Sequence, residues 1–385
     1  MRKKLNFFLI ISMLMLACLL GCNVSRPTTD PTEHKVYLPT EESVRLLGRA
    51  TLQEDTLWMV HSGTGMEFYA VGERVKITFL ADSNWETGGG DKQARIAIYL
   101  NGIRVADEMI DEKEKTVTVT LGKKDRRNIV RVVKLSEAAH STCGITQIEV
   151  YGEIEPTEEK EKLIEFIGDS ITCGYGIDDE VPENAFSTTT EDVTKTFAYK
   201  TAETLEADYS MVALSGHGVI SGNTKNGVKS PDRIMPAFYE KIGFCKSTYL
   251  EKYVSQDMVW DFTKRQPDLI VINLGTNDKT YVKGDAEKTE EFILGYIDFL
   301  KQVRQQNPEA TILCTLGMMG ADLNAAMEEA VGRYQAETSD GKVFSMLFEN
   351  QSSSDGRAAG WHPTERTNEK AAQRLVEEIQ KIMGW

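Results

Sequence analysis

The sequence predicts two folded parts, an all-β sandwich of jelly-roll type followed by an α/β region on a parallel sheet. Three observations carry this. From about residue 36 to 155, short runs rich in β-branched residues mostly alternate apolar with polar, and no helical period of useful length interrupts them. From residue 163 to the end at 385, apolar runs alternate with amphipathic stretches, the pattern of a parallel sheet covered on both faces. Between them lies a charged stretch, residues 153–162, and 385 residues exceed the usual size of a single core.

The first residues read as an address rather than a fold. Arg2, Lys3 and Lys4 precede an apolar run over residues 7–20 that ends in Leu19-Leu20-Gly21-Cys22. This is the pattern of a secretion signal over residues 1–21, too short for an ordinary membrane span. A cysteine directly after a small residue resembles the bacterial lipobox, which implies cleavage before Cys22 and lipid on its thiol; ordinary signal-peptidase cleavage and an uncleaved anchor are the alternatives. Residues 22–35 are polar, contain Pro27 and Pro31, and read as a tether. The formal net charge is −15, and losing the basic leader makes it more negative. Nucleic acid and anionic membrane surfaces are therefore disfavoured as partners, leaving lipid on Cys22 as the expected membrane contact.

In the β region, residues 75–80, 95–100, 116–121 and 129–133 are predicted strands, with Asn101-Gly102 as a hairpin turn. The α/β region is predicted to run as follows: strand 163–167 and a helix near 194–206, then strand 211–214 and a helix around 235–242. Strand 269–274 and a helix over 285–306 come next, the helix carrying an apolar stripe of Phe292, Ile293, Tyr296, Phe299, Leu300 and Val303. Strand 311–316, a helix near 323–337, strand 343–348 and a last helix over 363–383 complete it. Beyond Cys18 and Cys22, the cysteines Cys143, Cys173, Cys245 and Cys314 form no metal-type pair, and their wide spacing argues against a disulfide-dense scaffold. Cys173 is expected to be a packed residue rather than a nucleophile.

Four stretches lie at the ends of these elements: Gly168-Asp169-Ser170-Ile171-Thr172, Ser215-Gly216, Gly275-Thr276-Asn277-Asp278 and Trp361-His362-Pro363. In open α/β sheets the ligand crevice lies outside the carboxyl ends of the strands, so residues far apart in sequence converge there. Together they supply the parts of serine acyl transfer. Ser170 is the candidate nucleophile and its N–H an oxyanion donor. Gly216 offers a second amide unshielded by a side chain, and Asn277 a side-chain donor. His362, placed by Pro363 at a helix start, is the candidate base, because an imidazole titrates near neutral pH. His217 is assigned to substrate contact or packing, and Asp169 to backbone bonds in its turn.

These four stretches resemble the four blocks of the SGNH (GDSL-type) hydrolases, and the resemblance implies a flavodoxin-like domain over residues 163–385 with a Ser170, Gly216, Asn277 and His362 site. The sandwich in front, the run Gly168-Asp169-Ser170-Ile171-Thr172-Cys173-Gly174-Tyr175-Gly176, the segment Leu214-Ser215-Gly216-His217-Gly218 and the Trp361-His362-Pro363 ending are similar to carbohydrate esterase family 2. That family removes acetyl groups from plant polysaccharides and their oligosaccharides, so an acetylated saccharide of xylan or glucomannan type is the implied partner, with no cofactor and no metal. The alternatives are an esterase on lipid or cell-wall glycan esters and a non-catalytic glycan-binding lipoprotein. In one respect the chain departs from its relatives. Where they often carry an acid two or three residues before the histidine, this chain has Gly360 and Ala359. The expectation is a Ser170–His362 dyad whose imidazole is oriented by the Gly360 backbone carbonyl, with Asp355 as the alternative orienting group. Trp361 is expected either to wall the substrate site or to pack the final helix, and Trp58 and Trp85 are unassigned possible contacts.

Overall fold

Alternating apolar side chains in the first half pair off into one antiparallel network of ten strands. In this computed structural model the described residues are 34–385, except Gly88 and Lys124; the leader, Cys22 and nearly all of the tether lie outside them. Two long partners, Gly65–Ala81 and Cys143–Pro156, form the spine of the network. Gly65–Ala81 changes its other neighbour midway. Asn128–Lys134 pairs with residues 65–70 and Glu114–Thr120 with residues 74–80, so one strand serves both layers of the sandwich. The layers close over a core that includes Phe68, Ile77, Phe79, Val132 and Ile148. Arg95–Leu100 returns as Ile103–Met109 through Asn101 and Gly102, both at positive φ (52° and 83°), the mirror-image turn that suits strand twist.

The second half holds five parallel strands, β1 (Leu163–Gly168), β2 (Asp208–Ala213), β3 (Leu269–Asn273), β4 (Thr311–Met318) and β5 (Val343–Asn350), in the order β2-β1-β3-β4-β5. Every residue of β1, β2 and β3 is buried, as near-continuous apolar runs require when both faces are covered. Helices α1 (Phe197–Thr204) and α4 (Glu365–Met383) cover one face, placing Phe197, Leu375 and Ile379 with Phe166, Met211 and Val271. Helices α2 (Ala286–Gln306) and α3 (Asn324–Thr338) cover the other, with Phe292, Tyr296 and Leu300 against Ile167, Val212 and Ile270. Asp285 caps α2 by accepting from the N–H groups of Glu287 and Lys288.

Two sequence expectations are corrected. The helix expected around 235–242 is a single 3-10 turn, Met235–Ala237, with Pro236 in it. The apolar residues Met235, Tyr239 and Ile242 are instead spent on core contacts by an irregular crossover that leans on the sandwich, through Lys246 N–H to Ala139 O (3.4 Å) and Ser83 N–H to Thr248 O (3.0 Å). The last helix starts at Glu365, capped by Thr364, so Pro363 lies before the cap rather than in the first turn.

The sandwich and the parallel sheet share a buried seam. Arg49 grips Glu165 of β1 with two guanidinium hydrogen bonds (3.1 and 2.9 Å), and its charge sits over the ring of Tyr239. Trp58 is 1% exposed and stacks on Tyr249 at 4.9 Å, which removes it from the possible substrate contacts.

Candidate active site

Strand β1 ends at Gly168, where a Cβ would lie 2.1 Å from Thr172 Oγ1, so only glycine lets the next turn fold back this tightly. Asp169 then caps a one-turn helix, Ser170–Cys173, by accepting the Ile171 N–H at 3.0 Å, as the reading of its turn expects. Ser170 is left at the first helical position. Its N–H has no acceptor among the described residues, and its hydroxyl faces His362.

His362 reaches Ser170 through a tight turn. Gly360 and Trp361 both have positive φ (61° and 67°), and His362 N–H closes back on Ala359 O at 3.4 Å, a type I′ arrangement between the paired residues Ala358 and His362. A tryptophan in the left-handed region costs of order 1–3 kcal/mol and persists only where its surroundings hold it. Here Gly360 N–H donates to Pro182 O (3.0 Å) and Gln351 Nε2 to Trp361 O (2.9 Å). The turn aims His362 Nδ1 at two carbonyls, Gly360 O (3.1 Å) and Ala359 O (3.3 Å). Nδ1 therefore carries the proton, and Nε2 is free to accept from Ser170 Oγ–H at 2.8 Å. Burial lowers the imidazole to about 4, the two carbonyls pulling weakly the other way.

The remaining residues divide between those brought to this point and those that are not. Gly216 follows β2 with φ 77°, its would-be Cβ meeting nothing within 4 Å, and its N–H has no acceptor among the described residues. Asn277 follows β3 and is 5% exposed. Its Nδ2 donates to His217 O (2.8 Å) and to Asp169 Oδ2 (3.1 Å), so both amide hydrogens already have acceptors. Donation to an oxyanion requires the longer of these bonds to be shared. Asp169 itself is fully buried, and desolvation pushes its carboxyl up to about 7. His217 is buried: its ring packs against Phe238 and Phe244, with Nδ1 3.1 Å from Ser215 O. Packing, not substrate contact, is its place. Asp355 is corrected as an orienting group, because its carboxylate is held by Lys370 (2.7 and 2.8 Å) and Arg366 (3.1 Å), and the histidine makes no bond to it. Trp361 is 58% exposed beside the base. The four described cysteines are free and buried, and burial pushes the Cys173 thiol well above its ordinary range.

One neighbour of the base escaped the sequence reading of roles. Tyr175 stacks on His362 with ring centres 4.1 Å apart, and Phe186 backs Tyr175 at 4.8 Å. Its only signal was its place after the Gly174 turn of the serine stretch.

The arrangement has recognisable relatives. The model of the GDSL-like lipase/acylhydrolase family matches residues 164–375. The chain is 35% identical over 229 residues to the cellulase/esterase CelE of Acetivibrio thermocellus, a match over 58% of this chain that spans only 26% of that protein's length. It is 24% identical over 370 residues, 95% of each chain, to an acetylxylan esterase/glucomannan deacetylase of Cellvibrio japonicus. Among solved structures, a family two carbohydrate esterase from Clostridium thermocellum, in complex with cellohexaose, superposes with a TM-score of 0.77 at 26% identity, covering 89% of this chain and 99% of that one. With a serine and a histidine in hydrogen-bond contact at the carboxyl edge of a β2-β1-β3-β4-β5 sheet, and a family match over more than half its length, the chain belongs to the GDSL-like lipase/acylhydrolases.

Proposed function

We propose that the protein is a serine esterase that removes O-acetyl groups from carbohydrate of xylan or glucomannan type, through an acetyl-enzyme on Ser170. The observation that carries this is the 2.8 Å contact between Ser170 Oγ and a His362 whose Nδ1 proton is fixed on backbone carbonyls. Ser170 Oγ attacks the acetyl carbonyl as its proton passes to His362 Nε2. The carbonyl oxygen takes the charge, facing the free amides of Ser170 and Gly216 and the Asn277 amide. Collapse breaks the ester bond, and His362 returns the proton to the departing sugar oxygen. Water then repeats the sequence on the acetyl-enzyme and releases acetate. In this reading the Gly360 and Ala359 carbonyls do the orienting that a carboxylate does in a full triad. The saccharide as acyl donor rests on the esterase relatives, and acetate release from acetylated xylan and glucomannan, against longer-chain esters, tests it.

The base acts only when neutral. Since burial holds His362 at about 4, the neutral form is present above that pH and is lost as pH falls through it. We expect kcat/KM to be flat from neutral pH down to about 5 and to halve near pH 4; a midpoint near 6.5, the ordinary value of an exposed imidazole, would contradict this.

Trp361 supplies an exposed apolar wall for the sugar. Trp361→Ala is expected to raise KM for an acetylated oligosaccharide about tenfold, the worth of one aromatic contact, while kcat on an aryl acetate holds. An unchanged KM would remove it from the site.

Export and lipid attachment at Cys22 belong to the same proposal, as does the division of the chain into a sandwich over 36–155 and a catalytic unit over 163–385. The basic and apolar leader supports a surface location. Cys22→Ser should move the protein from the membrane to the soluble fraction; unchanged fractionation would rule out the anchor.

A further inference from the structure

The residues that leave strand Asn128–Lys134 of the sandwich do not return to its surface. Residues 135–139 are all buried at the seam: Leu135 N–H still donates to Arg95 O (2.7 Å) of the sandwich, while Val193 N–H donates to Leu135 O (3.3 Å) and Lys246 N–H to Ala139 O (3.4 Å) from the catalytic half. At the centre of this intrusion is Glu137, fully buried. Its Oε2 accepts the N–H of Ser215, the residue next to Gly216, at 2.9 Å. Its own N–H donates to Oε2 of a second fully buried acid, Glu191, at 2.9 Å. On each carboxyl the other oxygen, Oε1, is buried without a hydrogen-bond partner.

Two fully buried carboxyls linked through the Glu137 N–H cannot both be ionised at modest cost. The charged and titratable groups that face them are few. Lys134 is buried beside them, but its Nζ donates to the carbonyls of Ser136 (2.6 Å) and Glu137 (3.0 Å), not to either carboxyl, and burial lowers its own pKa. Arg95 donates to the backbone carbonyl of Glu191 (3.1 Å) and pairs with Asp178 and Asp107. Lys246, the Cys173 thiol and the Tyr175 phenol also face them. A proton retained on one of the two acids lowers this cost, and the Ser215 hydroxyl, buried without a partner of its own, lies on the Glu137 side of the pair.

We propose that Glu137 is a positioning residue that the sandwich lends to the catalytic half: with Glu191 it holds one proton and pins the Ser215 N–H, thereby setting the Gly216 N–H toward the acyl oxygen. Burial pushes both carboxyls up, in keeping with a retained proton. The proposal rests on the serine-ester reading above and gives the sandwich a part in the reaction itself. It also predicts an alkaline limit to turnover, reached when the shared proton leaves and two charges face each other behind the oxyanion loop.

The test uses the whole protein with 4-nitrophenyl acetate, so that it does not depend on the saccharide. Glu137→Gln keeps an oxygen for the Ser215 N–H and places an N–H where the proton was. It should retain neutral-pH kcat within about threefold and lose the alkaline fall that wild type shows. Glu137→Leu fills the space but accepts nothing, and should lower kcat at least about tenfold at unchanged KM, toward the hundredfold loss typical of a missing oxyanion donor. A folded Glu137→Leu with kcat within twofold of wild type overturns the proposal. So does a Glu137→Gln as impaired as Glu137→Leu, a wild-type profile flat into the alkaline range, or the same alkaline fall in Glu137→Gln; these last two decide the matter if Glu137→Leu does not fold. Absence of aryl-acetate turnover by wild type strikes the serine-ester reading instead, and is seen before any variant is made.

Discussion

Ser170→Ala is expected to lower kcat on an aryl acetate by about 10⁴- to 10⁶-fold, leaving KM and thermal stability close to wild type. Among the described residues the hydroxyl makes one hydrogen bond, to His362, so removing it removes the bond-forming atom and little of the fold. His362→Ala should cost about as much, and the double variant little more, because a nucleophile and its base act as a unit. The informative control is Asp355→Ala. Its carboxylate is engaged by Lys370 and Arg366, so activity should stay within about twofold. A loss at Asp355 as deep as that at His362 would mean that a carboxylate orients the ring after all. A Ser170→Ala protein that still turned over would remove the nucleophile from the account.

Asn277→Ala comes second, with an expected loss in kcat of about a hundred- to a thousandfold at nearly constant KM. The residue is 5% exposed, and its Nδ2 lies between Asp169, which caps the serine turn, and His217 O, one residue beyond Gly216. It thus ties the serine turn to the Gly216 loop, and in the proposed mechanism it shares the hydrogen now on Asp169 with the oxyanion. Asn277→Asp separates these roles. It keeps the volume but faces the oxyanion with an acceptor, so it should be at least as slow as alanine. A variant at position 277 that lost only KM would place the residue in ground-state binding.

What could be read in advance followed from burial. Ser170, Gly216 and Asn277 each stand just past an apolar run, and runs such as Leu163–Gly168 and Leu269–Asn273 are strands because both their faces are covered. Once the strands are parallel, their carboxyl ends share one edge. The absence of an acid at positions 359 and 360 likewise pointed to a backbone carbonyl beside the base, and Gly360 O is 3.1 Å from Nδ1. The rest depends on contacts between distant segments. Nothing local marks Trp361 for positive φ; that strain is held by Pro182 O, by Asp179 O, which accepts the Ala359 N–H at 2.7 Å, and by Gln351. The apolar spacing of Met235, Tyr239 and Ile242 looks helical, yet Pro236 and the demands of the seam turn it into a 3-10 turn and loop. Tyr175 and Glu137 act on the site from a turn and from the sandwich, at separations no local pattern encodes.

The most direct test of the Ser170–His362 reading is acid quenching of the enzyme during turnover of acetylated glucomannan, followed by peptide mass mapping. The account predicts one acetyl group on the peptide that carries Ser170, acetate accumulating in step with turnover, and neither in Ser170→Ala. Acetate release by Ser170→Ala at the wild-type rate, or an acetyl group trapped on another residue, would contradict it.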